Sequence, residues 1–100
     1  MSAQKIQRLK RFIQEPRLRS THRMMRVVSG VSRFRILRLL KAYGGSLNVT
    51  EIADTLDVSC SLVSHEMRIL RKSALVAPVT KGREVFYKTS GKLTKMFPEL

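Results

Sequence analysis

The side chains in this 100-residue chain best suited to reading a hydrogen-bonded surface are Ser61, Ser64, His65, Arg68, Arg71 and Lys72. At 100° per residue they fall within an arc of about 120° on one side of a helix, while Val63, Met67, Leu70 and Ala74 share the opposite side, which must be core. Serine and histidine donate and accept, as base edges require, and the long cations that follow suit phosphate. Short polar groups in the first two turns and cations in the last two match a helix that reads bases with its N-terminal residues and grips phosphates further along. The bland alternative is a solvated face, although an ordinary surface helix more often mixes Glu with Lys.

Such an arc has to be held in place, and the flanking segments supply the means. Asn48-Val49-Thr50-Glu51 has the pattern of a capping box, followed by a short helix that buries Ile52, Ala53 and Leu56. Asp57-Val58-Ser59 is a tight connection, with Ser59 as cap of a helix that runs to about Ser73. Two short helices joined by three residues are the helix-turn-helix arrangement, with the segment from about Ser59 to Lys72 as its recognition helix. Beyond it, Leu75 to Val79 and Glu84 to Thr89 are rich in Val, Phe and Tyr, and Thr80-Lys81-Gly82-Arg83 lies between them, a β-hairpin with a basic tip.

Toward the N-terminus, Ile6, Leu9, Phe12 and Ile13 recur at helical spacing among Lys5, Arg8, Lys10 and Arg11, until Pro16 ends the pattern. Ser20 is the expected cap of a second helix carrying Met24, Met25 and Val28, which stops at Gly30. Val31 to Tyr43 is a third helix whose apolar set is Val31, Phe34, Leu37 and Leu40, ended by Gly44-Gly45. Lys92 to Leu100 has room for at most two helical turns before Pro98. The expected fold is mainly α with a small β-hairpin, a winged helix-turn-helix with an extended N-terminal helix. Its parts are a basic amphipathic helix over 1–19, the DNA-binding domain over 20–90 and a short tail over 91–100.

The chain carries 20 Lys and Arg against 7 Asp and Glu, a formal charge of +13 that calls for a polyanionic partner, with nucleic acid first. The charge is unevenly placed. Residues 1–41 hold 12 bases and only Glu15; residues 42–67 hold no base and four acids; residues 68–100 hold eight bases and two acids. Positive charge therefore lies at the two ends and the middle contributes something else. No apolar run reaches the roughly 18 residues of a membrane span, and the N-terminus has no uncharged apolar core, so a cytoplasmic, nucleoid-associated protein without a membrane partner is expected.

Four segments together resemble the ArsR/SmtB family of winged-helix repressors: Val31-Ser-Arg-Phe-Arg-Ile-Leu-Arg-Leu-Leu40, Glu51-Ile-Ala-Asp-Thr-Leu-Asp-Val-Ser59, Leu62-Val-Ser-His-Glu-Met-Arg-Ile-Leu-Arg71 and Gly82-Arg-Glu-Val-Phe-Tyr-Lys88. The similarity covers about residues 24–90. It implies a homodimer that binds an imperfect palindrome in double-stranded DNA, represses transcription and lets go when a ligand binds. It also implies that Ser61, Ser64 and His65 face base edges and that Lys81 and Arg83 on the wing touch backbone or minor groove. Together with the residue chemistry, this assigns direct readout to Ser59, Ser61, Ser64, His65 and Arg68, and phosphate anchoring to Lys72, Lys81 and Arg83.

The chain departs from the family where many members bind metal. The two positions that carry cysteines in those members are Asn48 and Thr50 here, which offer a soft metal no thiolate, and no histidine follows His65. No metal or other cofactor is expected. Cys60 stands near the start of the recognition helix, where the helix dipole favours an anion, and is a candidate redox site; its plainer reading is a small side chain between core and groove face. The stripe of Ile6, Leu9, Phe12 and Ile13 is expected to form a dimer interface, the alternative being a basic arm lying on DNA backbone or a membrane surface. No catalytic constellation or phosphate-binding glycine loop is present, so an enzyme is not expected. The competing function is a basic RNA-binding, ribosome-associated or architectural winged-helix protein that uses the arginines of residues 8–38.

Overall fold

The computed structural model describes residues 2–100. Helices α1 (Ala3–Ile13), α2 (Pro16–Ser29) and α3 (Val31–Tyr43) lead to a two-residue strand β1 (Leu47–Asn48) and the helices α4 (Val49–Leu56) and α5 (Cys60–Lys72). Strands β2 (Val76–Lys81) and β3 (Glu84–Thr89) and the helix α6 (Gly91–Met96) complete the described chain.

Leu37, Ile52, Val63, Leu70, Leu75 and Leu93 are fully buried, so the core gathers side chains from α3, α4, α5, the start of the hairpin and α6. Each such side chain contributes roughly 1.5–3 kcal/mol relative to exposure. Ile36, Arg33, Leu40 and Leu37 lie together on the inward side of α3. Val31 and Phe34, expected in the core, stand on the other side and are exposed, Val31 at 76%. The third helix is apolar around much of its circumference, and which side is covered depends on where α2, α4, α5 and β3 pack against it.

The second helix starts earlier than its serine suggested. Pro16 occupies the first turn of α2, where its missing N–H would have no partner anyway, and Ser20 lies inside the helix rather than capping it. Met24 and Val28 are buried as expected, whereas Met25 is exposed. Helix α1 is capped by Ser2, whose side chain accepts from the Lys5 amide at 3.2 Å, and none of its residues is buried. It contributes to an elongated outline of 62 × 23 × 21 Å.

The capping box forms as read: Asn48 Oδ1 accepts from the Glu51 amide at 2.8 Å, and Glu51 Oε1 accepts from the Asn48 amide at 3.0 Å. Asn48 does two jobs, because its backbone also belongs to β1. That strand pairs antiparallel with β3, Leu47 opposite Tyr87 and Asn48 opposite Phe86, giving the order β1-β3-β2. Two residues are too few for a periodic pattern, so this third strand left no trace in the sequence.

The hairpin is tighter than expected. Thr80 and Lys81 continue β2, opposite Val85 and Glu84, and only Gly82 and Arg83 form the turn. Gly82 has φ +62°, the left-handed conformation such a turn needs and glycine tolerates. Ala74 is not part of the core. It is exposed with φ 59°, one step past Ser73, the C-cap of α5, and its amide donates to the Arg71 carbonyl while that of Leu75 donates to Leu70. These two bonds are a Schellman closure, in which the left-handed residue is usually glycine. The architecture is a winged helix-turn-helix with the extended N-terminal helix expected for it.

Candidate nucleic-acid interface

Helix α5 rests on the core through Val63, Met67 and Leu70, all buried, and this fixes which arc faces outward. Ser61, Ser64, His65, Arg68, Arg71 and Lys72 are all exposed on that arc. At its start, Ser59 Oγ accepts from the Leu62 amide at 3.0 Å. Ser59 is therefore the N-cap, and its oxygen is committed to the helix, leaving chiefly the hydroxyl proton for an outside acceptor. Cys60 is exposed as the first helical residue.

Glu66, which the sequence reading assigned no role, is 7% exposed on the inward side of the recognition helix. Its Oε2 accepts from Arg33 Nη1 at 2.8 Å, and Arg33 Nε donates to the Val27 carbonyl at 2.7 Å. The guanidinium also lies over Gly30, where a Cβ would sit 2.4 Å from an Arg33 nitrogen. A signal for this pair was available: an acid on the side of α5 away from the polar and cationic arc must enter the core with a partner.

Across from α5 stands the wing. Successive residues of a strand point to opposite faces, so Phe86 and Tyr87 divide β3 into two sides. Tyr87 turns toward the recognition helix, with the Arg71 guanidinium carbon 6.0 Å from its ring centroid. Lys81 is on the other side, its ammonium 4.9 Å from the Phe86 ring centroid. Arg83 is exposed at the turn. Beside α5 lies an open groove of about 490 Å³, lined by Ser64, Met67, Arg68, Arg71 and Lys72 of α5, by Val49 at the start of α4 and by Tyr87 of the wing. The pairing of Arg71 with Tyr87 leaves no mark in the sequence, since a contact between a helix and a strand 16 residues away has no period to reveal it.

Several other cations bind the protein to itself. Arg35 Nη2 donates to the Leu56 carbonyl at 3.2 Å, and Lys41 Nζ donates to Thr94 Oγ1 at 2.8 Å. Arg38 Nη1 donates to the Leu100 carbonyl, and Lys92 Nζ donates to that of Ser73 at 3.2 Å. Among the described residues, no helix is long and apolar enough to cross a membrane, and no group of three or more His, Cys, Asp or Glu is gathered as metal ligands would be.

The family model for bacterial regulatory proteins of the arsR family matches residues 31–77, which hold α3, the helix-turn-helix and the start of the wing. The chain is 30% identical over 64 residues to the transcriptional repressor SdpR of Bacillus subtilis, a match covering 64% of this chain and 69% of that protein. It is 36% identical over 53 residues to the HTH-type transcriptional regulator NmtR of Mycobacterium tuberculosis, covering 53% of this chain and 44% of that one, less than half its length. In fold it is similar to a homodimeric winged helix-turn-helix DNA-binding domain from Mycobacterium bovis, with a TM-score of 0.69 and 21% identity over 99% of this chain and 82% of that one.

Proposed function

Since the chain belongs to the arsR family of bacterial regulatory proteins, we propose that it is a dimeric, sequence-specific DNA-binding repressor of transcription that acts at a palindromic operator. The observation that carries this reading is the exposed arc of α5 beside a wing, with cations on both and an open groove between them. Ser61, Ser64, His65 and Arg68 reach base edges in the major groove, and Ser59 adds a single donor from its capping position. Lys72, Lys81 and Arg83 neutralise phosphates. The similarity to the repressor SdpR and the regulator NmtR, together with the family match over the helix-turn-helix, supports regulation over a purely structural role.

Helix α1 supplies the dimer interface in this reading. Its stripe of Ile6, Leu9, Phe12 and Ile13 is exposed, with Phe12 at 69% and Ile13 at 77%, and a second copy gives such a stripe something to pack against. The Mycobacterium bovis domain of similar fold is homodimeric, which supports a dimer but assigns no helix to its interface. The RNA-binding alternative needs the arginines of residues 8–38 as a free surface. Of the nine arginines in that span, Arg33, Arg35 and Arg38 instead donate to carbonyls of the protein's own backbone, which reduces that surface by a third. A protein acting in this way works in the cytoplasm, at the chromosome.

Selection of bound duplexes from a random pool tests the proposal. Enrichment of a palindrome with half-sites about one helical turn apart is the expected result. A pool that shows no enrichment would make the chain an architectural binder.

A further inference from the structure

We propose that the recess between the second half of α2 and the start of α3 binds a small phosphate-bearing anion, held by Arg23, Arg26 and Arg33, and that this occupant competes with Glu66 for the Arg33 guanidinium. The site itself does not depend on the DNA-binding reading above; its effect on DNA does. The recess is open, about 210 Å³ in volume, and is lined by Arg23, Arg26, Val27 and Arg33. Arg23 and Arg26 are exposed and three positions apart, so they share a side of α2 and repel each other. Among the described residues the ion pairs are Arg17–Glu15 and Arg33–Glu66, which leave both of these arginines without an acid.

Arg33 supplies the link to the recognition helix. Its Nε and Nη1 hold the Val27 carbonyl and Glu66, while Nη2 lies over Gly30, where the missing Cβ makes room for it. Nη2 is therefore the corner of the guanidinium left for a ligand. Gly30 also gives α3 no capping side chain, so the first-turn amides add to the positive potential there. Guanidinium forks fit phosphate oxygens in bidentate pairs, and a group with more than one negative charge answers three cations better than a lone carboxylate. One valine is too little apolar wall to hold a hydrocarbon ligand. Glu66 stands about 160° around α5 from Arg68, so an anion at Arg33 acts from behind the reading arc. Drawing the guanidinium toward the anion weakens its bond to Glu66 and loosens the seat of α5, which couples occupancy to DNA affinity.

The probe is inorganic pyrophosphate, titrated into the full chain by calorimetry at fixed ionic strength. One equivalent per chain is expected. Arg23→Ala and Arg26→Ala should each weaken binding about tenfold or more, whereas Lys95→Ala, which removes an exposed cation outside the recess, should bind as the wild type does. Glu66→Gln, shown by circular dichroism to be folded, should bind several-fold more tightly, because the competing charge is gone. Wild-type affinity in Arg23→Ala and Arg26→Ala, or losses equal to that of Lys95→Ala, would overturn the site. A second measurement follows the anisotropy of a fluorescein-labelled duplex of random sequence. Saturating pyrophosphate at the same ionic strength should weaken duplex binding several-fold in the wild type and leave Arg23→Ala unchanged. No effect on the wild type, or unaltered pyrophosphate affinity in folded Glu66→Gln, would remove the competition with Glu66. Without pyrophosphate, Arg23→Ala should keep the wild-type salt slope on the duplex; a lower slope would make the recess a contact for DNA phosphate and overturn the proposal. If the chain takes up pyrophosphate as expected but binds no duplex, the DNA reading falls and the anion site stands.

Discussion

Arg33 and Glu66 are joined at 2.8 Å across 33 positions of sequence, and the same guanidinium holds the Val27 carbonyl at 2.7 Å. One side chain thus links the end of α2, the start of α3 and the inward side of the recognition helix. With side-chain exposures of 21% and 10%, the pair is largely withdrawn from water. Arg33→Ala would leave Glu66 with its charge and no partner. Chemical denaturation should show a loss of about 3 kcal/mol, whereas a loss below about 1 kcal/mol would place the pair with ordinary surface ion pairs.

Base readout and phosphate anchoring should separate by substitution. His65→Ala and Arg68→Ala are expected to weaken binding to a selected operator by about 1–3 kcal/mol each, with a much smaller effect on random duplex. Lys72→Ala and Arg83→Ala should lower affinity for both by similar factors. Parallel titrations of the two duplexes decide the matter; equal losses for His65→Ala would take that residue out of direct readout.

The apolar stripe of α1 predicts that Ile6→Asp together with Ile13→Asp yields a monomer in sedimentation equilibrium. Operator affinity should fall in step, since one half-site would then be held without the other. An unchanged mass would show that dimerisation lies elsewhere and turn α1 into an arm.

Ala74 adopts φ 59°, which costs a residue with a Cβ about 1–2 kcal/mol. Glycine removes that cost and gives back part of the gain through the freer unfolded chain, by roughly 0.4–1 kcal/mol. Ala74→Gly should therefore raise the thermal midpoint by a few degrees in calorimetry. A lower midpoint would mean that the Ala74 methyl contributes packing that outweighs the backbone cost.

Much of this architecture was legible before the coordinates. The capping box at Asn48 and Glu51, the three-residue turn, the inward face of α5 and the hairpin each have a local signature, set by hydrogen bonds or periods within a few residues. What escaped has a different character. Val31 and Phe34 look as apolar as Leu37, and only the packing of α2, α4, α5 and β3 around the helix decides which of them is covered. Ser20 has the chemistry of a cap but lies inside the helix that Pro16 begins. Ala74 occupies a position usually taken by glycine, so its type gave no warning of the chain reversal. In the candidate interface the exposed arc was readable from one helix, while the Arg71–Tyr87 pairing needed the wing to fold back beside it.

The two residues of β1 also determine how the molecule meets a duplex. Asn48 begins the first helix of the reading pair and at the same time pairs with Phe86 in the wing. The base of the wing is therefore tied to the helix pair, with only its tip free of that tie, like a caliper jaw hinged at its root. Such a jaw adapts little to its object. When such a protein seats on DNA, the adjustment falls on the duplex, and sequences that bend or narrow easily under the wing are favoured even at base pairs that no side chain touches.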